Sequence, residues 1–161
     1  MPTAPRARAA DETRIIDALR RLVRAILRGG NEAEKRTGVS GAQLFVLQQL
    51  ADGRPRSMRE VAALTLTHQS TVSVVVGRLV AKGLVARGVD PDDRRRVLLT
   101  PTAAGRALLR RAPEPVQARL VEGIARLPER DRRIVARALG RIVRDIGAGG
   151  VQAGMFLEPG D

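Results

Sequence analysis

Gln69, Ser70, Ser73 and Val74 fall at a spacing that sets them on one side of a helix, and each has a natural partner on the edge of a base pair. A glutamine amide can pair twice with adenine, a serine hydroxyl can donate or accept, and a valine can rest against a thymine methyl. Thr67, His68 and Thr71 lie where that helix begins, and its free backbone N–H groups favour phosphate there. Arg78, further along, suits a phosphate contact or a local ion pair. Beyond it Arg94, Arg95 and Arg96 run consecutively behind Asp92 and Asp93. Asp93 is placed to brace one arginine, Arg95, which leaves Arg94 to enter a minor groove where negative potential is strongest. This is the chemistry of recognising a polyanion. No glycine-rich phosphate loop, nucleophile with a nearby base, or carboxylate pair on an apolar background accompanies it, so no catalytic residue and no cofactor is assigned.

These residues need rigid elements to hold them. Ser57-Met58-Arg59-Glu60 has the form of a capping box, and Ser57 joins the group facing a nucleic acid. Val61, Ala62 and Leu64 give the short helix behind it an apolar face. Thr65-Leu66-Thr67 breaks the run, with Thr67 as N-cap of a second helix from His68 to Lys82. Its core face is Val72, Val75, Val76 and Leu79, and Gly83 supplies the left-handed exit. Two apolar runs, Leu84 to Val89 and Val97 to Thr100, then flank the turn from Asp90 to Arg96 and predict a hairpin. Thr100 as N-cap with Pro101 in the first helical position predicts that a further helix starts at once.

Helix, turn, helix and an arginine-tipped hairpin resemble the multiple antibiotic resistance regulators, the MarR family. The resemblance rests on Gln69-Ser70-Thr71-Val72-Ser73, Lys82-Gly83-Leu84-Val85, Asp90-Pro91-Asp92-Asp93-Arg94-Arg95, and Leu99-Thr100 with Gly105. It covers residues 57 to 105 by motif and extends by helix order to about 146. It implies a mainly α fold with a small β-hairpin wing, a winged helix-turn-helix flanked by N- and C-terminal dimerisation helices. It also implies a dimeric, sequence-specific transcriptional regulator, a repressor released from its operator by a small molecule. The partners would be a second copy of the chain and double-stranded DNA, a pseudo-palindromic operator with half-sites about one turn, ~10 bp, apart. A small aromatic or anionic effector would sit between dimer frame and DNA-binding unit, at a junction that here includes Phe45, parts of the first helix and arginines. No ligand-binding motif marks it. One departure from the family is Val74, where relatives often carry arginine.

The flanks supply material for such a frame. Ile15, Leu19, Leu22 and Ile26, with Ile16, Val23 and Leu27, stripe an arginine-rich helix that reads as ending at Gly29-Gly30. Val116, Leu120, Ile124 and Leu127 form a second stripe. Ile134, Val135, Leu139, Ile142, Val143 and Ile146 form a third on a helix started by Pro128. Periodicity alone favours these stripes folding against their own domain, whereas the resemblance reverses that preference and pairs them between subunits. The expected division is a disordered basic tail over 1–11, one domain over 12–146, and a flexible glycine-rich tail over 147–161. Within the domain, 12–37 and 102–146 hold the dimerisation helices and 41–100 the winged helix-turn-helix. In the last tail Met155-Phe156-Leu157 is a small apolar plug able to dock or fray.

Composition agrees. The 161 residues are 43% hydrophobic, enough for one packed domain. The net charge is +12, and residues 54 to 111 hold 12 Lys or Arg against 4 Asp or Glu, so most of the excess sits on the proposed reading unit. With no cysteine and one histidine, a disulfide framework, a thiol switch and a Cys/His zinc site are excluded within a chain, and no metal site is assigned. Phe45 and Phe156 are the only aromatics, too few for stacking platforms that bind single strands. No stretch approaches the ~20 apolar residues that span a bilayer and no signal peptide is evident, so the expected place is cytoplasmic, away from membranes. The other reading left open is a winged-helix architectural or protein-interaction module with non-specific DNA binding.

Overall fold

The computed structural model describes residues 4–151 and 154–156. Its elements are α1 (Ala4–Thr37), α2 (Gly41–Gln48), β1 (Arg56–Ser57), α3 (Met58–Leu64), α4 (Gln69–Ala81), β2 (Val85–Val89), β3 (Val97–Pro101), α5 (Ala103–Arg111), α6 (Val116–Ala125) and α7 (Glu129–Asp145). A 3-10 turn follows at Ala148–Gly150. The fold is therefore mainly helical with a three-stranded antiparallel sheet ordered β1-β3-β2. Arg56 pairs with Leu99 on one side of β3, and Val85 to Val89 pair with Pro101 to Val97 on the other. No described helix is long and apolar enough to cross a membrane.

One hydrophobic cluster holds the reading unit together. Leu44, Leu47 and Leu50 from α2 and its exit, Val61 from α3, Val72, Val75, Val76 and Leu79 from α4 and Leu99 from β3 are all fully buried in it. The four α4 residues are those the 3.6-residue period selects, so burial overrides the poor helix propensity of valine.

Local polar bonds fix the angles between elements. Ser57 Oγ accepts from the Glu60 N–H at 3.3 Å while Glu60 Oε2 accepts from the Ser57 N–H at 2.7 Å, completing the capping box. These bonds from Ser57, assisted by Arg96 and Arg56, hold the Glu60 carboxyl below its ordinary range. Ser57→Ala should therefore cost about 1 kcal/mol near neutrality. Glu60 stabilises the fold only while ionised, so that loss should shrink as pH falls through the lowered Glu60 value. Thermal melts of both proteins across acid pH check this, and a constant gap would refute it. Ahead of β1, Arg56 grips Asp52 with two bonds of 2.6 and 2.7 Å, holding that carboxyl down at about 2.

Several sequence boundaries move. The stretch expected as a disordered tail is helical from Ala4, since its alanines and arginines favour a helix and Arg8–Glu12 and Arg14–Asp11 pair one turn apart. Nor does α1 end at Gly29-Gly30. A Cβ on Gly29 would lie 2.9 Å from Val116 Cβ, so the glycine is there to let α6 approach, and α1 ends at Gly38 with φ 73°. The second helix begins one residue late, with His68 rather than Thr67 as N-cap and no side-chain cap bond. Thr100 and Pro101 belong to β3. Pro101 lies beyond the two residues that pair with β1, where its missing N–H is tolerated. The cap is Thr102, which accepts from the Gly105 N–H at 3.0 Å and donates to the Gly83 carbonyl at 2.7 Å. Past α7, Ala148–Gly150 is ordered as a turn, and Met155 is buried in the main cluster. Phe156 is exposed, and Leu157 lies outside the described residues.

Candidate nucleic-acid interface

The exposed face of α4 and the base of the wing enclose one open groove of about 760 Å3. Its lining is Ser57, Met58 and Arg59 from the start of α3, Gln69, Ser70 and Ser73 from α4, and Arg95, Arg96 and Val97 from the wing. Three arginines and no acid line it. The core residues of α4 point the other way, so the helix is anchored while its polar side stays open.

The wing turn is rigid because its aspartates cap backbone. Asp90 Oδ1 accepts from the Asp92 N–H at 3.0 Å and Asp93 Oδ1 from the Arg95 N–H at 3.0 Å. The Asp93 carbonyl accepts from the Arg96 N–H at 2.8 Å, and the Asp90 N–H donates to the Arg96 carbonyl at 3.0 Å. Asp93 thus meets Arg95 through the peptide rather than the expected guanidinium. It is Arg96 that forms an ion pair, with Asp90 at 3.7 Å.

The residues singled out in sequence divide into two places. Ser57, Gln69, Ser70, Ser73, Arg95 and Arg96 share the groove. Val74 is 51% exposed on the next position of α4, Thr71 and Arg78 are half-buried, and Arg94 is exposed on the wing turn. Thr67 and His68 instead line a pocket of about 290 Å3 beside Phe45, α6 and the Gly154–Phe156 segment. No residue of α1 and no arginine or lysine lines that junction pocket, contrary to expectation. The helix meets the frame elsewhere, through the Gly29–Val116 approach. Leu66, in the turn between the two places, holds φ 53°, a left-handed conformation that costs a bulky residue about 1–2 kcal/mol.

Arg59 was not singled out in sequence. Its signal is a cation in the first turn of α3, where the helix dipole favours acids, and the structure places it in the lining of the groove.

Residues 37–96, which span α2 through the wing, match the family model described as MarR family. Over those residues the chain is similar to the MarR family. Among curated MarR-type relatives, the transcriptional repressor NicR of Pseudomonas putida is 38% identical over 71 residues, 44% of this chain and 45% of NicR. The chain spans between 45 and 64% of the length of the curated relatives it matches. Solved structures extend the likeness. The transcriptional regulator BldR of Sulfolobus solfataricus is 26% identical with a TM-score of 0.56, covering 84% of this chain and 96% of BldR. BpsR of Bordetella bronchiseptica, whose DNA binding is regulated by 6-hydroxynicotinic acid, is 29% identical with a TM-score of 0.53, covering 80% and 98%. The MarR-family winged helix is thus the fold of both the groove and the elements behind it.

Proposed function

We propose that this chain is a sequence-specific DNA-binding transcription regulator that acts as a homodimer on a pseudo-palindromic operator. The observation that carries this reading is the basic groove in which Gln69, Ser70 and Ser73 stand beside Arg95 and Arg96. An α-helix fits a major groove, and the neighbouring arginines are placed to fix its register on the phosphates. Dimerisation is supported by apolar stripes that their own chain leaves uncovered. Leu22, Val23 and Leu27 on α1, Ile124 on α6 and Leu139 and Ile142 on α7 are all exposed, and no residue of α7 is buried. Between α1 and α6 an open apolar groove of about 490 Å3, lined by Leu22, Ile26, Leu120 and Leu127, offers a seat for a partner helix. NicR is a repressor and BpsR answers to an aromatic acid, which supports repression relieved by a small aromatic or anionic effector.

Binding to an operator and to a scrambled duplex, compared at several salt concentrations, tests the reading. A specific regulator should favour its operator by at least about a thousandfold. A ratio near one would mean an architectural protein instead. Gln69→Ala should relax preference at particular base pairs by roughly 1–3 kcal/mol. Arg95→Ala should weaken both duplexes alike and lower the salt slope by about one. Equal losses on both duplexes for Gln69→Ala would remove α4 from base reading.

A further inference from the structure

One face of α7 carries a row of arginines that the fold does not use. At about 100° per residue, Arg130, Arg133, Arg137, Arg141 and Arg144 fall within an arc of about 80°. They are exposed, and the row runs about 21 Å at 1.5 Å per residue. Val135, Leu139, Ile142, Val143 and Ile146 lie on the opposite side of the same helix. The acids stand at the ends, Glu129 and Asp131 in the first turn and Asp145 in the last. Arg133 pairs with Glu129, whereas Arg130, Arg137, Arg141 and Arg144 form no ion pair among the described residues. Arg133, Arg137 and Arg141 are spaced four apart, where like charges weaken a helix. No residue of α7 is buried in its own chain, so packing does not offset that repulsion. An external polyanion would turn it into attraction.

The make-up of the row selects the polyanion. A protein partner docks on an apolar centre, and here Ile134 at the edge of the row is the one large apolar side chain beside it. An anionic membrane takes up a helix by its apolar face with cations alongside, but these arginines stand opposite that face. Regularly spaced guanidinium groups match a sugar–phosphate backbone, which duplex DNA presents at one charge per ~1.7 Å of axis. No residue of α7 lines the reading groove, and the proposed dimer would cover the apolar face while leaving the row open.

We propose that the arginine row of α7 is a second, sequence-independent DNA-binding surface, by which a protein seated on one duplex through α4 holds the phosphates of another. Bridging of two duplexes rests on the regulator reading; the hold of the row on DNA does not.

The test uses the full chain, a scrambled-sequence duplex fixed to beads and a labelled copy of it in solution. The unaltered protein should carry the labelled copy to the beads. Arg137→Gln with Arg141→Gln should cut that uptake at least about tenfold, two phosphate contacts being lost. Arg137→Lys with Arg141→Lys keeps the charges and should restore most of it. In a protein whose groove is weakened by Arg59→Gln with Arg95→Gln, adding the two α7 glutamines should lower the salt slope of single-duplex binding by about two. Uptake that survives the glutamines, uptake that the lysines do not restore, or an unchanged slope would overturn the surface. Poly-glutamate that competes as well as unlabelled duplex would assign the row to an acidic protein instead. If lengthening a single duplex raises affinity only while Arg137 and Arg141 are present, the row grips flanking DNA and the second duplex is refuted. The regulator reading fails separately: groove substitutions would then leave single-duplex binding untouched while the α7 glutamines abolish it.

Discussion

Alanine at Gly105 is expected to destabilise the protein by about 2–3 kcal/mol, even though alanine is ordinarily the better helix former. An added Cβ would stand 2.2 Å from the Leu84 carbonyl oxygen and 3.4 Å from Leu47 Cδ1. That carbonyl accepts from the Thr102 N–H at 3.0 Å, so pushing it away opens the bond tying α5 to the start of β2 and disturbs the core beneath. The melting temperature should fall by about 5 to 10 °C. Gly77→Ala is the control. Nothing lies within 4 Å of its added Cβ, and it should gain about 0.5–1 kcal/mol. If both substitutions move stability the same way, close backbone approach is not what Gly105 provides.

The second large effect concerns the proposed homodimer. Leu139→Glu with Ile142→Glu places two charges on a face of α7 that nothing in the same chain covers. The protomer should keep its helical content while sedimenting as a monomer, because its own core makes no use of these side chains. Operator affinity should then fall by about a hundredfold or more, since two linked half-site contacts become independent ones. Binding to a single half-site should be nearly unaffected. A double variant that stays dimeric, or a monomer that retains full operator affinity, would refute the role given to α7.

What could be read from the sequence was local. The Ser57 capping box, the valine period of α4, the Lys82-Gly83 exit and the hairpin around Asp90 to Arg96 each depend on residues within a turn or two of one another. Gln69, Ser70 and Ser73 could be assigned to one open face for the same reason. The misses came from contacts made by distant parts of the chain. Gly29 has the look of a helix end until Val116 is packed against it. Thr100 and Thr102 are equally good caps, and only the pairing of Pro101 with Val85 decides between them. Met155 looks like part of a loose tail because its seat is built from elements that precede it by many residues. Arg59 was legible but passed over, since its oddity is its sign relative to the helix dipole rather than any motif.

The uninterrupted course of α1 through Gly29-Gly30 has a mechanical consequence. At 1.5 Å per residue its 34 residues make a rod about 50 Å long. Its middle carries the exposed stripe from Ile15 to Leu27, and its inner end enters the core at Ala33 and closes on the α4 terminus, where Lys82 Nζ donates to the Gly38 carbonyl at 2.7 Å. In the proposed homodimer such a rod acts as a lever, so a tilt of a few degrees where the two subunits meet arrives at α4 as a displacement of about 2 Å. A flexible joint at the two glycines would have absorbed that motion. With the helix continuous, the spacing of the two α4 helices in the proposed homodimer is set by the angle at which the rods cross.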